Sequence, residues 1–221
     1  MPPTKPIIIG TRGSDLALWQ ANFVRKELER LGHQVHIKMI TTQGDKIQDL
    51  GFDKMEGKGF FTKEIEAALF KRDIDLAVHS HKDLETKQPE GLEVAAVSAR
   101  ENPCELLLIR ESAYQENALW GLRKDAVVGT SSARRKSQLL ALRQDVQIKE
   151  LRGNVPTRVE KLRSGQYDAI LLAKAGILRL ELDLSDLVSI DLTPDEFVPA
   201  PAQGVLALQI RSVDTELQKV L

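Results

Sequence analysis

The sequence holds a single cysteine, Cys104, so no disulfide can form within the chain. That usage fits a reducing compartment. Aromatic residues make up only 5% of the chain, too few for the run of stacking rings expected of a nucleic-acid binder. Neither sign of charge dominates. With 31 Lys and Arg against 32 Asp and Glu, the formal net charge is −1. No global field therefore favours nucleic acid or an anionic membrane, and any basic site must be local. No apolar run approaches the roughly 20 residues that span a bilayer. The opening stretch MPPTKPIIIG, with one lysine and a short apolar run, does not read as a signal peptide. The histidines and the cysteine show no paired ligand spacing, so no metal site is expected. Internal repeats and low-complexity tracts are also missing.

What is present is an ordinary globular composition, 42% apolar and 29% charged over 221 residues, enough for one large domain or two smaller ones. Strand-like and helix-like segments alternate, which predicts an α/β fold with mostly parallel sheets. Ile7 to Ile9 reads as a short buried strand. Ser14 and Asp15 can cap the helix that follows, and Leu16, Trp19, Phe23, Leu28 and Leu31 mark its expected buried face. Gly32 sits where a C-terminal cap belongs. Val35 to Ile40 predicts the next strand. The polar, glycine-containing stretch from Thr41 to Lys58 predicts a long loop. Phe60 to Phe70 reads as a helix and Ile74 to Val78 as a buried strand. After Val94 to Val97, the segment RENPCELLLI reads as a crossing into a second unit. There, Val127 and Val128 lead into GTSSARRKSQLLAL, followed by IKELRGN, a helix around Val159 to Leu162, and the strand AILLA. Pro194, Pro199 and Pro201 mark a second crossing before the strand-like Val205 to Ile210. Two crossings imply that the last strand returns to the first domain. The expected organisation is domain 1 over residues 1–100 plus 200–221 and domain 2 over 101–199, forming two lobes around a cleft.

Candidate chemistry gathers at junctions between strands and helices. In G129-T-S-S-A-R-R135, Thr130, Ser131 and Ser132 offer hydroxyls at a helix start that favours anions. Arg134 and Arg135 then oppose the helix dipole, each at about 0.3–1 kcal/mol. Their presence points to a neutralising anion such as a carboxylate. Replacing either arginine is expected to weaken anion binding with little loss of fold. In A77-V-H-S-H-K-D83, a buried strand ends in polar residues, where ligands gather in open α/β sheets. Lys82 beside Asp83 favours an ionised carboxylate. His79 and His81 can share one strand face and read as packing or hydrogen-bonding residues rather than ligands of a metal. Arg12 and Ser14 stand at the first strand–helix junction, Arg152 and Arg158 flank R152-G-N-V-P-T-R158, and Lys58 and Lys63 flank a glycine-rich stretch. Any one of these could be ordinary surface charge. Together they concentrate cations at predicted strand ends, which points to a polyanionic ligand.

Taken together, TRGSDLALWQ, TQGD, GKGFFTKEIE, DLAVHSHKD, GTSSARRKSQL, LRGNVPTR, YDAILLAKAGILRL and PAQGVLALQIR resemble the hydroxymethylbilane synthase (porphobilinogen deaminase) family, in family order and over nearly the whole chain. The resemblance implies a two-lobed fold similar to periplasmic binding proteins. It implies a transferase of tetrapyrrole biosynthesis that condenses four porphobilinogen molecules, with loss of ammonia, into linear hydroxymethylbilane. Asp83 matches the catalytic aspartate. Arg12, Ser14, Lys82, Thr130, Ser131, Ser132, Arg134, Arg135, Arg152 and Arg158 match positions that hold the dipyrromethane cofactor. Arg12, Arg152, Arg158, Arg179 and Gln203 match the substrate-binding set. Lys58 and Gly59 match a mobile loop near the site, a possible lid. The implied protein is a cytoplasmic monomer acting on a small molecule, with neither nucleic acid nor membrane as partner.

The sequence also departs from the family. The cysteine that carries dipyrromethane belongs to a third, C-terminal domain, and no residue here matches it. Cys104 reads as a structural or incidental thiol. The ending DTELQKVL opens like an amphipathic helix, so the sequence is expected to be a fragment of a longer protein. Asp15 and Glu85 stand where the family often has proline, Pro156 is unusual, and Ala202 replaces the first glycine of Gly-Gln-Gly. Lacking the attachment cysteine, the chain could alternatively be a non-catalytic protein that binds a carboxylated pyrrole or another small anion. Retention of Asp83 favours the enzyme, because an anion binder gains nothing from a carboxylate at its site.

Overall fold

The computed structural model describes residues 5–46 and 62–221. In chain order its regular elements are β1 (Ile7–Thr11), α1 (Asp15–Arg30), β2 (Val35–Met39), α2 (Gln43–Lys46), α3 (Lys63–Phe70), β3 (Leu76–Ser80), β4 (Leu92–Val97), β5 (Glu105–Arg110), β6 (Val127–Gly129), α4 (Ala133–Leu142), β7 (Gln147–Lys149), α5 (Val155–Arg163), β8 (Ala169–Ala173), α6 (Lys174–Leu180), β9 (Leu187–Leu192), β10 (Leu206–Arg211) and α7 (Thr215–Val220). They divide into two compact units. The described residues of unit 1 are 5–46, 62–101 and 202–221, and those of unit 2 are 102–201.

Unit 1 is built on a five-stranded sheet in the order β2-β1-β3-β10-β4. Apolar residues cover both faces. Ile7, Ile9, Leu76, Val78 and Leu208 pack with Ala21, Val24 and Leu28 of α1, whereas Ala77 and Leu92 pack with Ile65 and Leu69 of α3. Ala77 and Val78 are neighbours that serve opposite faces, as the two-residue period of a strand requires. Each fully buried Leu or Ile contributes about 1.5–3 kcal/mol. The face of α1 differs from the expectation. Its buried positions are Gln20, Ala21, Val24 and Leu28, while Phe23 is 38% and Leu31 66% exposed. The small Ala21 lets the helix lie close to the sheet, and Trp19 and Phe23 stack on each other with ring centroids 5.6 Å apart. After the helix, Gly32 takes φ +88° and donates to the Glu29 carbonyl, while His33 N–H reaches the Leu28 carbonyl. This is a Schellman stop, which glycine makes without strain.

Unit 2 repeats the plan in the order β7-β6-β8-β5-β9. Leu107 and Ile109 face one core cluster, Leu106 and Leu108 the other. Both sheets are mixed, with four of the five strands running one way, as the mostly parallel expectation has it, and one strand reversed. In unit 1, β1 pairs parallel with β2 and β3, but β10 pairs antiparallel with β3 and β4. In unit 2, β6 pairs parallel with β7 and β8, but β5 pairs antiparallel with β8 and β9. The crossings explain the reversal. The chain leaves unit 1 after β4 and re-enters beside its exit, with Ser98 N–H on the Leu206 carbonyl and Glu101 N–H on the Gly204 carbonyl. A strand that re-enters at the end where its neighbour left must run the other way. Likewise Glu105 at the start of β5 lies opposite Leu192 at the end of β9.

The returning segment is tightly specified. Gly204 has φ +90°, and a Cβ there would collide with the Glu101 carbonyl oxygen. Ala202, two residues earlier, is held at φ +55°. A left-handed conformation costs a non-glycine residue about 1–2 kcal/mol, a cost that glycine would not carry here. Gly204→Ala adds a backbone collision to the same strain. It should lower stability by at least about 2 kcal/mol, measured as a fall in the urea midpoint at unchanged slope.

Candidate active site

The β1–α1 junction is locked before any ligand arrives. Thr11 is fully buried, and its hydroxyl donates to the Ala17 carbonyl at 3.1 Å. Ser14 caps α1 by accepting from Ala17 N–H at 3.4 Å. Arg12 is carried between these two anchored residues. On the neighbouring strand, β3 ends at Ser80 and passes into a 3₁₀ turn, His81–Asp83. The His81 N–H on the Val205 carbonyl, at 3.0 Å, ties that turn to the returning segment. Ser80 Oγ accepts from Gln20 Nε2 at 2.8 Å, which fixes α1 against the end of β3.

These constraints make a cavity of about 80 Å³ within unit 1, at the C-terminal ends of β1 and β3. Arg12, Ser14 and Asp83 line it, as do Gln20, His79 and Ser80, with Leu16, Ile65 and Val78 supplying apolar wall. Asp83 is exposed and Arg12 half-buried. A carboxylate and a guanidinium at one pocket can engage a ligand that carries both an acidic group and an N–H donor. Lys82 and Gln203 also belong to unit 1. Lys82 Nζ donates to Gln203 Oε1 at 3.1 Å, and Gln203 is fully buried. That glutamine oxygen is thus turned toward Lys82.

The remaining candidates lie in unit 2. Ser131 Oγ donates to the Leu151 carbonyl at 2.9 Å and accepts from Leu151 N–H at 3.1 Å. This single side chain joins the β6–α4 turn to the segment that carries Arg152 and Arg158. Thr130 Oγ1 accepts from Ser132 N–H at 3.2 Å, and Ser132 Oγ caps α4 by accepting from Arg135 N–H at 3.4 Å. Accepting leaves both hydroxyls a proton to donate. Asn154 caps α5 through Thr157 N–H at 2.9 Å, and Arg158 Nε donates to the Gly153 carbonyl at 2.7 Å. Arg179, on α6, is 7% exposed.

Arg134 and Arg135 do meet a carboxylate, but it belongs to the protein. Glu105, fully buried at the start of β5, pairs through Oε1 with Arg134 and through Oε2 with Arg135 at 2.6 Å. Arg135 also donates to the Leu171 carbonyl at 2.9 Å, and Arg134 to the Val198 carbonyl at 2.5 Å. Burial alone would raise the Glu105 pKa. The charges and hydrogen bonds of Arg135 and Arg134 outweigh burial and hold the carboxyl below its usual range. The internal partner changes the expectation for Arg135, whose replacement would leave the buried Glu105 with one partly exposed partner. Nothing in the ARRK helix pattern reveals Glu105; the one available signal was an acid heading the apolar run ELLLI.

Lys58 and Gly59 lie outside the described residues. Among the described residues, no group of three or more His, Cys, Asp or Glu could hold a metal ion, and no helix is long and apolar enough to cross a membrane. Cys104 is half-buried, with its backbone N–H on Asn102 Oδ1 at 2.9 Å and its carbonyl accepting from Lys174 N–H at 3.1 Å.

Comparison with known proteins identifies both the fold and the family. The two-unit architecture is similar to an ancestral cationic amino acid solute binding protein, with a TM-score of 0.57 at 15% identity over 97% of this chain and 86% of that one. It is also similar to an ancestral arginine-binding protein, with a TM-score of 0.52 at 15% identity over 98% and 88%. At that identity the likeness is one of periplasmic-binding-protein-like fold alone. A family model described as "Porphobilinogen deaminase, dipyromethane cofactor binding domain" matches residues 7–219. The porphobilinogen deaminase of Maridesulfovibrio salexigens is 49% identical over 98% of this chain and 69% of its own length. That of a Nitratiruptor species is 44% identical over 97% and 68%. Dipyrromethane is therefore the family's cofactor. Matched along almost its full length by that family model, the chain belongs to the porphobilinogen deaminase family of transferases, the hydroxymethylbilane synthases of tetrapyrrole biosynthesis.

Proposed function

We propose that the unit 1 cavity is where porphobilinogen is activated for the deaminating condensation, with Asp83 as the catalytic residue. The observation that carries this reading is that Arg12, Ser14 and Asp83, drawn from separate strand ends, line one cavity. Porphobilinogen is a pyrrole bearing acetate, propionate and an aminomethyl group. Arg12 holds one carboxylate of the ring and the Ser14 hydroxyl donates to it. Asp83 accepts the pyrrole N–H.

When the ring nitrogen pushes its electron pair toward the aminomethyl carbon, the C–N bond breaks and ammonia leaves with that bond's electrons. The ring becomes a cationic methylene-pyrrolenine. The Asp83 carboxylate stabilises the charge that develops on the nitrogen. The exposed methylene carbon then accepts the α-carbon of an acidic pyrrole chain, which is the chemistry that dipyrromethane supplies when bound. The condensation would free one proton, and Asp83 would assist its movement. Thr130, Ser132, Arg152 and Arg158 of unit 2 would hold the acid groups of that chain, with Ser131, its own proton on the Leu151 carbonyl, joining the turns that carry them, and Arg134 and Arg179 are assigned to the same set. Arg135 supports them from the Glu105 pair. Lys82 binds from a position set by Gln203, and Lys58 and Gly59 are assigned the lid role that the family resemblance implies. The same reading makes the protein a cytoplasmic monomer with no nucleic-acid or membrane partner.

The test is ammonium release from porphobilinogen by the purified protein, with a soluble acidic pyrrole chain supplied as acceptor. The reading predicts one ammonium per porphobilinogen consumed and a lengthened pyrrole chain by mass. Binding of porphobilinogen without any release of ammonium would favour the anion-binding alternative.

A further inference from the structure

His79 stands on β3 opposite Ala207 of β10, two residues from Gln209 on the same face of the sheet. Its Nε2 lies 3.1 Å from Gln209 Oε1. Two acceptors that cannot exchange roles set the direction of this contact. The Glu85 carbonyl oxygen accepts from Gln88 Nε2 at 2.6 Å, so Gln88 must turn its Oε1 the other way. That oxygen accepts from Gln209 Nε2 at 2.7 Å, and Glu66 Oε1 accepts from the same nitrogen at 3.2 Å. Both amide hydrogens of Gln209 are then committed, and its own Oε1 can only accept. The His79 nitrogen facing it must therefore carry the proton. Burial, partly opposed by the bond to Gln209, lowers the His79 pKa to about 4, so the ring is neutral near pH 7. A neutral ring with its hydrogen on Nε2 has a lone pair on Nδ1. Nδ1 has no hydrogen-bond partner among the described residues. The ring lines the same cavity as Asp83 and Arg12.

We propose that His79 is a substrate-binding residue, whose Nδ1 accepts a hydrogen bond from the aminomethyl group of porphobilinogen. The inference rests on the proposed use of the unit 1 cavity. There the guanidinium of Arg12 suits the acid groups and Asp83 suits the ring N–H, which leaves the aminomethyl group as the remaining donor. An uncharged acceptor orients that group without the strong charge pairing that would hold it back as it leaves. The Gln209–Gln88–Glu66 network is the positioning layer that keeps the acceptor side of the ring toward the cavity.

Two-bond nitrogen–proton correlation spectra of protein with labelled histidine read the tautomer directly, and the His79→Phe variant assigns the signal. Free protein should show the proton on Nε2, and porphobilinogen should shift the Nδ1 resonance. His79→Phe should weaken porphobilinogen binding about tenfold, with His79→Asn, which keeps an acceptor near Nδ1, recovering part of the loss. For the same pyrrole diacid with methyl in place of aminomethyl, wild type and His79→Phe should bind equally, a result that a merely structural histidine would not give. A proton found on Nδ1 in free protein, or an equal loss for both pyrroles, overturns the proposal. Porphobilinogen bound tightly with the His79 signal unmoved overturns it alone, whereas no binding by wild type overturns the use of the cavity as well.

Discussion

Glu105→Gln should be among the most destabilising single changes in unit 2, lowering stability by about 3–5 kcal/mol. The carboxylate is fully buried and faces two guanidinium groups, whose side chains are 25% (Arg134) and 8% (Arg135) exposed. Removing one partner of a buried pair strands the other charge. That penalty exceeds what the intact pair adds over an apolar replacement. Arg135→Ala should be nearly as severe, because it leaves Glu105 with a single partner that is partly in water. Arg134→Ala should cost about 1 kcal/mol, since Glu105 keeps its bond to the buried Arg135. Urea midpoints of the three variants check the order. Equal, small shifts would mean that neither arginine is held by Glu105. The pair also has a pH signature. The folded Glu105 pKa is lowered relative to the unfolded chain, so its contribution is present above the unfolded value and is lost as pH falls through the folded one. The steepening of acid unfolding that this produces should vanish in Glu105→Gln.

Asp83→Asn should leave the fold intact and reduce ammonium release by about 10²–10⁴-fold. The side chain is exposed, in a turn held by backbone bonds from His81 and Leu84, and asparagine keeps its size and shape there. Asparagine still offers an oxygen to the pyrrole N–H, so binding of porphobilinogen should change only a few-fold. What is lost is the negative charge that offsets the cation formed as ammonia departs. A fall in kcat at nearly constant KM is the expected pattern, because the interaction strengthens only in the transition state. A turnover within a few-fold of wild type would remove Asp83 from the chemistry.

Much of the architecture can be read from the residues because burial leaves a period. The continuous apolar runs of β5 and β8, and the Ser14 and Gly32 signals at the two ends of α1, each reflect a local physical need. Periodicity misled where residue size was taken for burial. Trp19, Phe23 and Leu31 look like a core stripe, but the sheet contact belongs to the smaller Ala21 and Val24. The β9 strand LVSIDL escaped notice because its apolar residues alternate with polar ones near the sheet edge. At the site, Arg12, Ser14 and Asp83 were legible as polar residues at strand ends. Glu105 was not, because its link to Arg134 and Arg135 spans about thirty residues of sequence and depends on how β5 passes the start of α4. Gln209 was hidden for a related reason. A buried amide inside a strand has no local signature, and its partners come from α3 and from the segment before β4.

The most direct test of the account is a crystal structure of Asp83→Asn with porphobilinogen bound. The account predicts the pyrrole in the unit 1 cavity, its ring nitrogen within hydrogen-bond distance of residue 83 and one of its carboxylates on Arg12. A porphobilinogen molecule bound elsewhere, with Arg12 and residue 83 both untouched, would contradict it.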